Sequence, residues 1–229
     1  MAQHEGQRRP RAGRPAGLRE RNKQGKLERI RRAARALFMR DGFEATTTRA
    51  IAARAGIGTG TLFLYVRDKS ALLFLIFKEE VDRLEAETYA SLPGAERGLV
   101  EQLVHVFECW IEHYRRSPEL ARLFFKELLF VGGEGRAEVA ALSAHIVRRL
   151  ADVIEAARRQ GRIREDVQSW VAAYNVFALF YVTLLSWLSD QIQVGEARAA
   201  VREALAMLYA GLHPRDAGVS PRGRQRRRP

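Results

Sequence analysis

This sequence predicts an all-α protein, a three-helix head followed by a larger helical bundle, and three observations carry that prediction. Apolar residues recur three and four apart in run after run, the spacing that lines one face of a helix. Leu27, Ile30, Ala33, Ala34, Leu37 and Phe38 form one such stripe, and Leu99, Leu103, Phe107, Trp110, Ile111 and Tyr114 form another. Glycine and proline punctuate the runs at Gly42, Gly56, Pro93-Gly94, Ser117-Pro118, Gly161 and Pro214, where helices stop or start. Third, Thr47 to Lys69, TTRAIAARAGIGTGTLFLYVRDK, reads as two short helices around a tight turn.

Residues 1–25 are rich in Arg, Gly and Pro with almost no large apolar residue, so a disordered basic arm is expected. Pro10-Arg11-Ala12-Gly13-Arg14-Pro15 within it resembles an AT-hook core. Three readings stand for it, an arm lying in an A·T minor groove, a plain electrostatic tether or an unstructured leader. Lys26 to Arg40 is the first expected helix, stopped at Asp41-Gly42, with Phe43 folding back on the core. Thr47 or Thr48 caps the next, whose Ile51, Ala52 and Ala55 turn inward. Gly56 ends it, because glycine alone takes a left-handed backbone without steric cost. The following helix is expected to be capped by Thr59, with Leu62 and Val66 inward. That leaves Thr59, Gly60, Thr61, Phe63 and Tyr65 outward or on the flanks, the plan of a helix-turn-helix. A further helix from Asp68 to about Ser91 links head to body.

The body, residues 79–213, opens after Pro93-Gly94 with an expected helix Arg97–Arg116. Ser117-Pro118 starts the next, serine as cap and proline in the first turn, running to about Val131 before a turn at Gly132–Gly135. Arg136–Gln160 follows, stopped by Gly161. Val167–Ser189 then gives twenty-three residues without a charge, long enough to span a bilayer. Against a membrane stand Gln168, Asn175 and Thr183 inside it, Asp166 and Asp190 at its ends, and no basic flank. A helix buried on several sides of a bundle or dimer is the expectation, with no membrane. In Val194–Leu212 the stripe Val201, Leu205, Leu208 and Leu212 is expected to pack on a second subunit. Residues 214–229 form a second basic tail, expected to be disordered. No repeat of fixed period is present.

The net charge of +12 is segregated: +5 over residues 1–25, +7 over 26–78, −5 over 79–213 and +5 over 214–229. Positive charge gathered on the head and tails points to a polyanion, nucleic acid first, rather than to general solubility. A lone cysteine, Cys109, excludes an internal disulfide and Cys-based zinc sites and suits a cytoplasmic location. No apolar run follows the basic start, so no signal peptide is expected. No G-x-S-x-G, Walker loop or H-E-x-x-H occurs, so the chain is expected not to be an enzyme and to need no cofactor.

At Arg29–Leu73 the sequence also resembles a known family. RAARALFMRDGFEATTTRAIAARAGIGTGTLFLYVRDKSALL is similar to the N-terminal domain of TetR-family transcriptional regulators: an alanine-rich first helix, a closing DGF, TTTRAIAARAG, GTGTL, and a lysine just before ALL. The resemblance covers about a fifth of the chain. It implies a homodimeric binder of a near-palindromic double-stranded DNA operator, acting as a repressor. A C-terminal domain senses a small-molecule effector, and the last two helices form a four-helix interface between subunits. A second reading is an architectural or nucleoid-type DNA-binding protein driven by its arginine-rich tails.

On that resemblance the DNA contacts are Thr48, Arg49, Thr59, Gly60, Thr61, Phe63, Tyr65 and Lys69. Thr48 and Arg49 open a helix whose free N–H groups favour a phosphate, and Arg49 alternatively reaches a guanine edge. Thr59 and Thr61 offer hydroxyls, Gly60 admits a close backbone, Tyr65 offers a hydroxyl or a ring, and Lys69 adds a cation. Phe63 departs from the family pattern, which has tyrosine there, and so gives up a phosphate hydrogen bond. For the effector, the aromatics Phe107, Trp110, Tyr114, Phe124, Tyr174, Phe177 and Tyr181 are the candidate lining, with core packing as the alternative for each. Few basic residues lie among them, so a neutral or lipophilic effector is expected. His105, Glu108 and Glu112 share a helical face, read as solvated rather than metal-binding. His113 and His145 show no partner in the sequence.

Overall fold

A computed structural model describes residues 17–129 and 134–212, and within them every regular element is a helix. The described residues up to Ile76 form one compact unit and those from Phe77 another. The arm over residues 1–16, including Pro10–Pro15, and the basic tail lie outside the described residues.

The first unit holds α1 (Leu18–Asp41), α2 (Thr48–Ala55), α3 (Thr59–Leu62) and the start of α4 (Lys69–Ala90). Helix α1 begins eight residues before the Lys26 expected from apolar spacing, so Leu18–Gly25 is helix rather than arm. Arg, Glu, Lys and Gln are strong helix formers that need no buried face, and Gln24 donates to Glu20 one turn back (3.1 Å). Ile30, Ala34, Ile51, Leu62 and Leu72 are fully buried and make the core. Phe43 does fold back, its ring 5.1 Å from that of Phe38.

The second unit holds the rest of α4, then α5 (Leu99–Arg115), α6 (Pro118–Leu129), α7 (Glu134–Arg159), α8 (Ser169–Leu188) and α9 (Val194–Leu212). Helix α5 starts two residues later than expected. A short 3-10 turn, Ala95–Arg97, precedes it, and Gly98 at φ 85° turns the chain between them. Positive φ is costly for any residue with a Cβ, so the glycine that spacing overlooked sets the boundary. Residues 134 and 135 of the expected glycine turn are already in α7.

Leu99, Ile111, Leu150, Ile154, Ile163 and Val201 centre the core of this unit, where α5 packs on α7 and α9, and α8 on α6, α7 and α9. Here the expectation for α9 is corrected. Val201 and Leu205 are fully buried against their own chain, and Leu208 and Leu212 pack on the same core. The face of α9 left to solvent carries Ala199, Ala200, Glu203, Ala206, Met207 and Ala210. Helix α8 is long and apolar enough to cross a membrane by length and composition, a test that core helices also pass. One side packs inward through Ala173, Val176 and Leu184, while Trp170, Val171, Tyr174 and Val182 stand exposed.

Ion pairs fasten the same helices. Arg198 on α9 meets Glu108 (2.8 Å) and Glu112 (3.7 Å) on α5, so the acidic face of α5 holds a neighbouring helix as well as facing solvent. Glu155 on α7 accepts from Arg158 (2.7 Å) and from Ser169 at the start of α8 (2.7 Å).

Two outcomes follow for stability. Leu150→Ala, which empties a fully buried position, lowers the unfolding free energy in urea by about 2–5 kcal/mol. The Arg158 and Ser169 hydrogen bonds hold the Glu155 carboxyl down at about 2, against 4.5 in the free side chain. Since the folded value is the lower one, this contact stabilises at neutral pH and is lost as pH falls from about 4.5 through 2. Glu155→Gln therefore flattens the acid limb of the melting-temperature profile.

Candidate functional site

In the first unit the helix-turn-helix is closed by local hydrogen bonds. The Thr47 hydroxyl, not that of Thr48, accepts from the Ala50 N–H (3.1 Å). Gly56 takes φ 67°, ψ 41°, and the Gly56 and Ile57 N–H groups donate back to Ala53 and Ala52 carbonyls (3.1 and 3.0 Å). Thr59 is the first residue of α3 rather than its cap; Gly58 holds the cap position, and no side chain bonds there. The helix is only four residues long, and Tyr65 and Val66 continue it as a tight turn onto the Leu62 carbonyl (2.9 and 3.2 Å).

Leu62 and Val66 are buried, which turns the residues between them outward. Phe63 is 50% and Leu64 83% exposed. Arg49 and Gly60 are exposed, and Thr48, Thr59, Thr61 and Tyr65 partly so. A Cβ added to Gly60 would meet no atom within 4 Å, and its φ is not among the positive ones. Nothing inside the protein therefore demands a glycine there. Leu64 was absent from the sequence candidates, although its place two residues from both Leu62 and Val66 puts it on the opposite side of the turn.

Lys69 is tied more closely than expected. Its ammonium donates to the Phe43 and Glu44 carbonyls (2.5 and 3.3 Å) and sits 4.3 Å over the Phe43 ring. It staples the loop after α1 to the start of α4, with Asp68 capping α4 through the Ala71 N–H (2.7 Å).

In the second unit, α4, α5, α6, α7 and α8 enclose a cavity of about 70 Å³ with almost wholly apolar walls. Phe107, Trp110, Tyr114, Phe124, Phe177 and Tyr181 line it. Tyr174 does not: it is 59% exposed, on the outer side of α8. The uncharged α8 has no polar face by which sequence could tell inside from outside. Sequence spacing also missed Phe77, Val81 and Tyr89 of α4 and Leu142 and Ser143 of α7. The first three belong to a helix read as the link between head and body, the other two to one to which the sequence reading gave no role.

Both histidines lacking a partner in sequence meet glutamates of α4: His113 meets Glu80 (3.6 Å), and His145 meets Glu85 (2.8 Å). Burial holds the Glu85 carboxyl above its usual range, against the pull of His145 and Arg149. Among the described residues no cluster of three metal-ligating side chains occurs. His105 lies within reach of the Ser91 hydroxyl (3.1 Å) and the Cys109 thiol (3.5 Å).

Two family models match the chain. One described as bacterial regulatory proteins, tetR family, matches residues 30–76, and one described as tetracyclin repressor-like, C-terminal domain, matches residues 96–191. The HTH-type transcriptional repressor KstR of Mycolicibacterium smegmatis is 26% identical over 183 residues, 79% of this chain and 85% of that one. The fatty acid metabolism regulator protein of Bacillus subtilis is 23% identical over 195 residues, 83% of this chain and 97% of that one. Among solved structures, FadR of Thermus thermophilus, a TetR-family transcriptional repressor in complex with lauroyl-CoA, superposes with a TM-score of 0.66 at 28% identity. That match covers 85% of this chain and 98% of the other.

Removing the staple tests its role in the fold. Lys69→Met lowers the unfolding free energy by about 1–3 kcal/mol, the scale of a charge-assisted hydrogen bond to a carbonyl, read in urea without any DNA present.

Proposed function

The chain belongs to the TetR family of bacterial regulatory proteins, DNA-binding transcription regulators that are not enzymes, and from that premise we propose that it is a cytoplasmic homodimeric repressor released from its operator by a long-chain acyl thioester. Each subunit lays Thr59–Tyr65 in a major groove, the two heads about one helical turn apart on a near-palindromic site. Thr48, Arg49 and Tyr65 hold phosphates or base edges, Thr59 and Thr61 add hydroxyls, and Phe63 and Leu64 offer apolar contact to thymine methyls. Lys69 acts mainly by fixing the loop before α2, with its remaining N–H free to face a phosphate. The observation that carries this reading is Gly60, an exposed glycine that the chain's own packing does not require. Close approach of the backbone to a partner accounts for it.

The dimer forms through α8 and α9. Trp170, Tyr174, Ala178 and Val182 recur every four residues along the exposed side of α8, and Met207 stands among alanines on the exposed side of α9. A stripe of this size left to water marks an interface, and the partner that offers the matching stripe is a second copy of the chain.

The apolar cavity is the effector site, with α8 and α5 supplying rings and α4 supplying Phe77, Val81 and Tyr89. A regulator of fatty acid metabolism and a lauroyl-CoA complex among the relatives support an acyl thioester. The cavity as it stands has room for roughly five to seven water-sized groups at 10–15 Å³ each. A long chain therefore enters by pushing its walls apart. The wall that matters is α4, because the helix that yields at Phe77 and Val81 is the one that starts at Lys69 in the head. The coupling expected of such a shift is about 1–3 kcal/mol, or 5- to 150-fold in operator affinity.

Mobility shifts of the full chain with its own promoter and with random duplex, across a salt series, test the DNA side. The promoter complex is expected to be the tighter at every salt and to dissociate on adding lauroyl-CoA; equal affinity for both duplexes overturns specific regulation. Gly60→Val is expected to keep the melting temperature within a few degrees while weakening promoter binding by at least about tenfold, since only the bound state crowds that position. Ultracentrifugation checks the interface: Trp170→Glu with Tyr174→Glu should convert the dimer to monomer.

A further inference from the structure

Tyr114 is buried to 3% exposure, lines the cavity, and its hydroxyl has no hydrogen-bond partner. Of the residues lining that cavity it alone has a buried polar atom left unpaired. The ring cannot easily swing to find one. Phe77 stacks on it (5.9 Å between centroids), Phe125 meets it edge-on (5.7 Å), and Trp110 closes a third side (6.1 Å). A buried hydroxyl without a partner is destabilising, and such groups in native structures call for an explanation.

Resting on the reading of this cavity as the effector site, we infer that the effector carries a neutral oxygen acceptor within its apolar body and that Tyr114 donates the hydrogen bond that selects it. Burial, and then the nearby Glu80 carboxylate, hold the phenol well above its usual range. It therefore stays protonated at any physiological pH and is available as a donor. Glu80 also bears on the kind of acceptor. It already faces His113 (3.6 Å), and its charge beside the phenol disfavours a carboxylate or phosphate there. A ketone, hydroxyl or ester oxygen meets no such opposition. Simple alkyl chains fill the apolar walls but leave the phenol unpaired. A site built to make one hydrogen bond discriminates against the analogue lacking it more sharply than a purely apolar site discriminates by size. The preferred effector is accordingly an oxygenated acyl chain or an equivalent apolar molecule with one internal oxygen, bound more tightly than a saturated chain whose only carbonyl is at its thioester end.

Calorimetric titration of the full chain with lauroyl-CoA, and with a series of its analogues in which one oxo group is moved along the acyl chain, tests this. In the native protein at least one oxo isomer should bind about tenfold more tightly than lauroyl-CoA, and in Tyr114→Phe that gap should close. The melting temperature of Tyr114→Phe without ligand should equal or exceed that of the native protein, because the change removes an unpaired group. A lower value would mean that the hydroxyl serves the fold, and would overturn the inference. Lauroyl-CoA binding with no isomer preferred, or a preference that survives in the phenylalanine variant, overturns it and leaves the cavity reading standing. If no thioester binds either protein, the cavity reading falls and takes this one with it.

Discussion

Burial of Leu62 and Val66 is the constraint on which the exposed face of the helix-turn-helix depends. Helix α3 has four residues, far too few to persist on its own helical hydrogen bonds. It exists because Leu62 is sealed against the core that Ile30, Ile51 and Ala55 complete, and because Gly56 lets the chain turn sharply enough to bring it there. Once those two side chains are anchored inward, Gly60, Phe63 and Leu64 have nowhere to go but out. The exposed apolar pair at Phe63 and Leu64 would be a liability on an ordinary surface. In the proposed groove-facing role it provides contact area without a charge that repels phosphate.

A second economy appears in the body, where the same aromatics serve as core and as cavity wall. Phe107 and Ile111 are buried in the packed interior and also face the cavity. Rings suit both tasks, since they bury a large area and rearrange through few torsions. The consequence is that filling the cavity and repacking the core are one event. Helix α4 shares in it through Phe77 and Val81, and through Glu80 and Glu85, which hold it to His113 on α5 and His145 on α7. Helix α4 is thus held to the cavity by apolar contacts and to α5 and α7 by glutamate–histidine contacts.

Much of this was legible in the residues themselves. The left-handed end of α2 at Gly56, the inward set Ile51, Ala52, Ala55, Leu62 and Val66, and the bounds of α9 all follow from spacing and from the few residues able to stop a helix. Six of the seven aromatics singled out for the effector do line the cavity. The start of α1 escaped because the helix there follows propensity, and residues 20–25 are exposed and mark no stripe. The start of α5 escaped because the apolar stripe from Leu99 onward does not say whether Gly98 before it continues the helix or turns the chain.

Helix α8 shows where such reading runs out. It is uncharged and apolar residues lie on every side, so Tyr174 and Phe177 are indistinguishable by pattern, yet one is 59% exposed and the other faces the cavity. Val201 and Leu205 raised the opposite difficulty: a clear stripe marks a buried face without saying which surface buries it. Order along the chain decides local matters, namely which segments are helical, where they end, and which of their faces avoids water. Neighbours across the fold decide the rest, including the glutamate partners of His113 and His145 and the unpaired hydroxyl of Tyr114. Those contacts join residues tens of positions apart, and no periodicity along one helix encodes the identity of what packs against it.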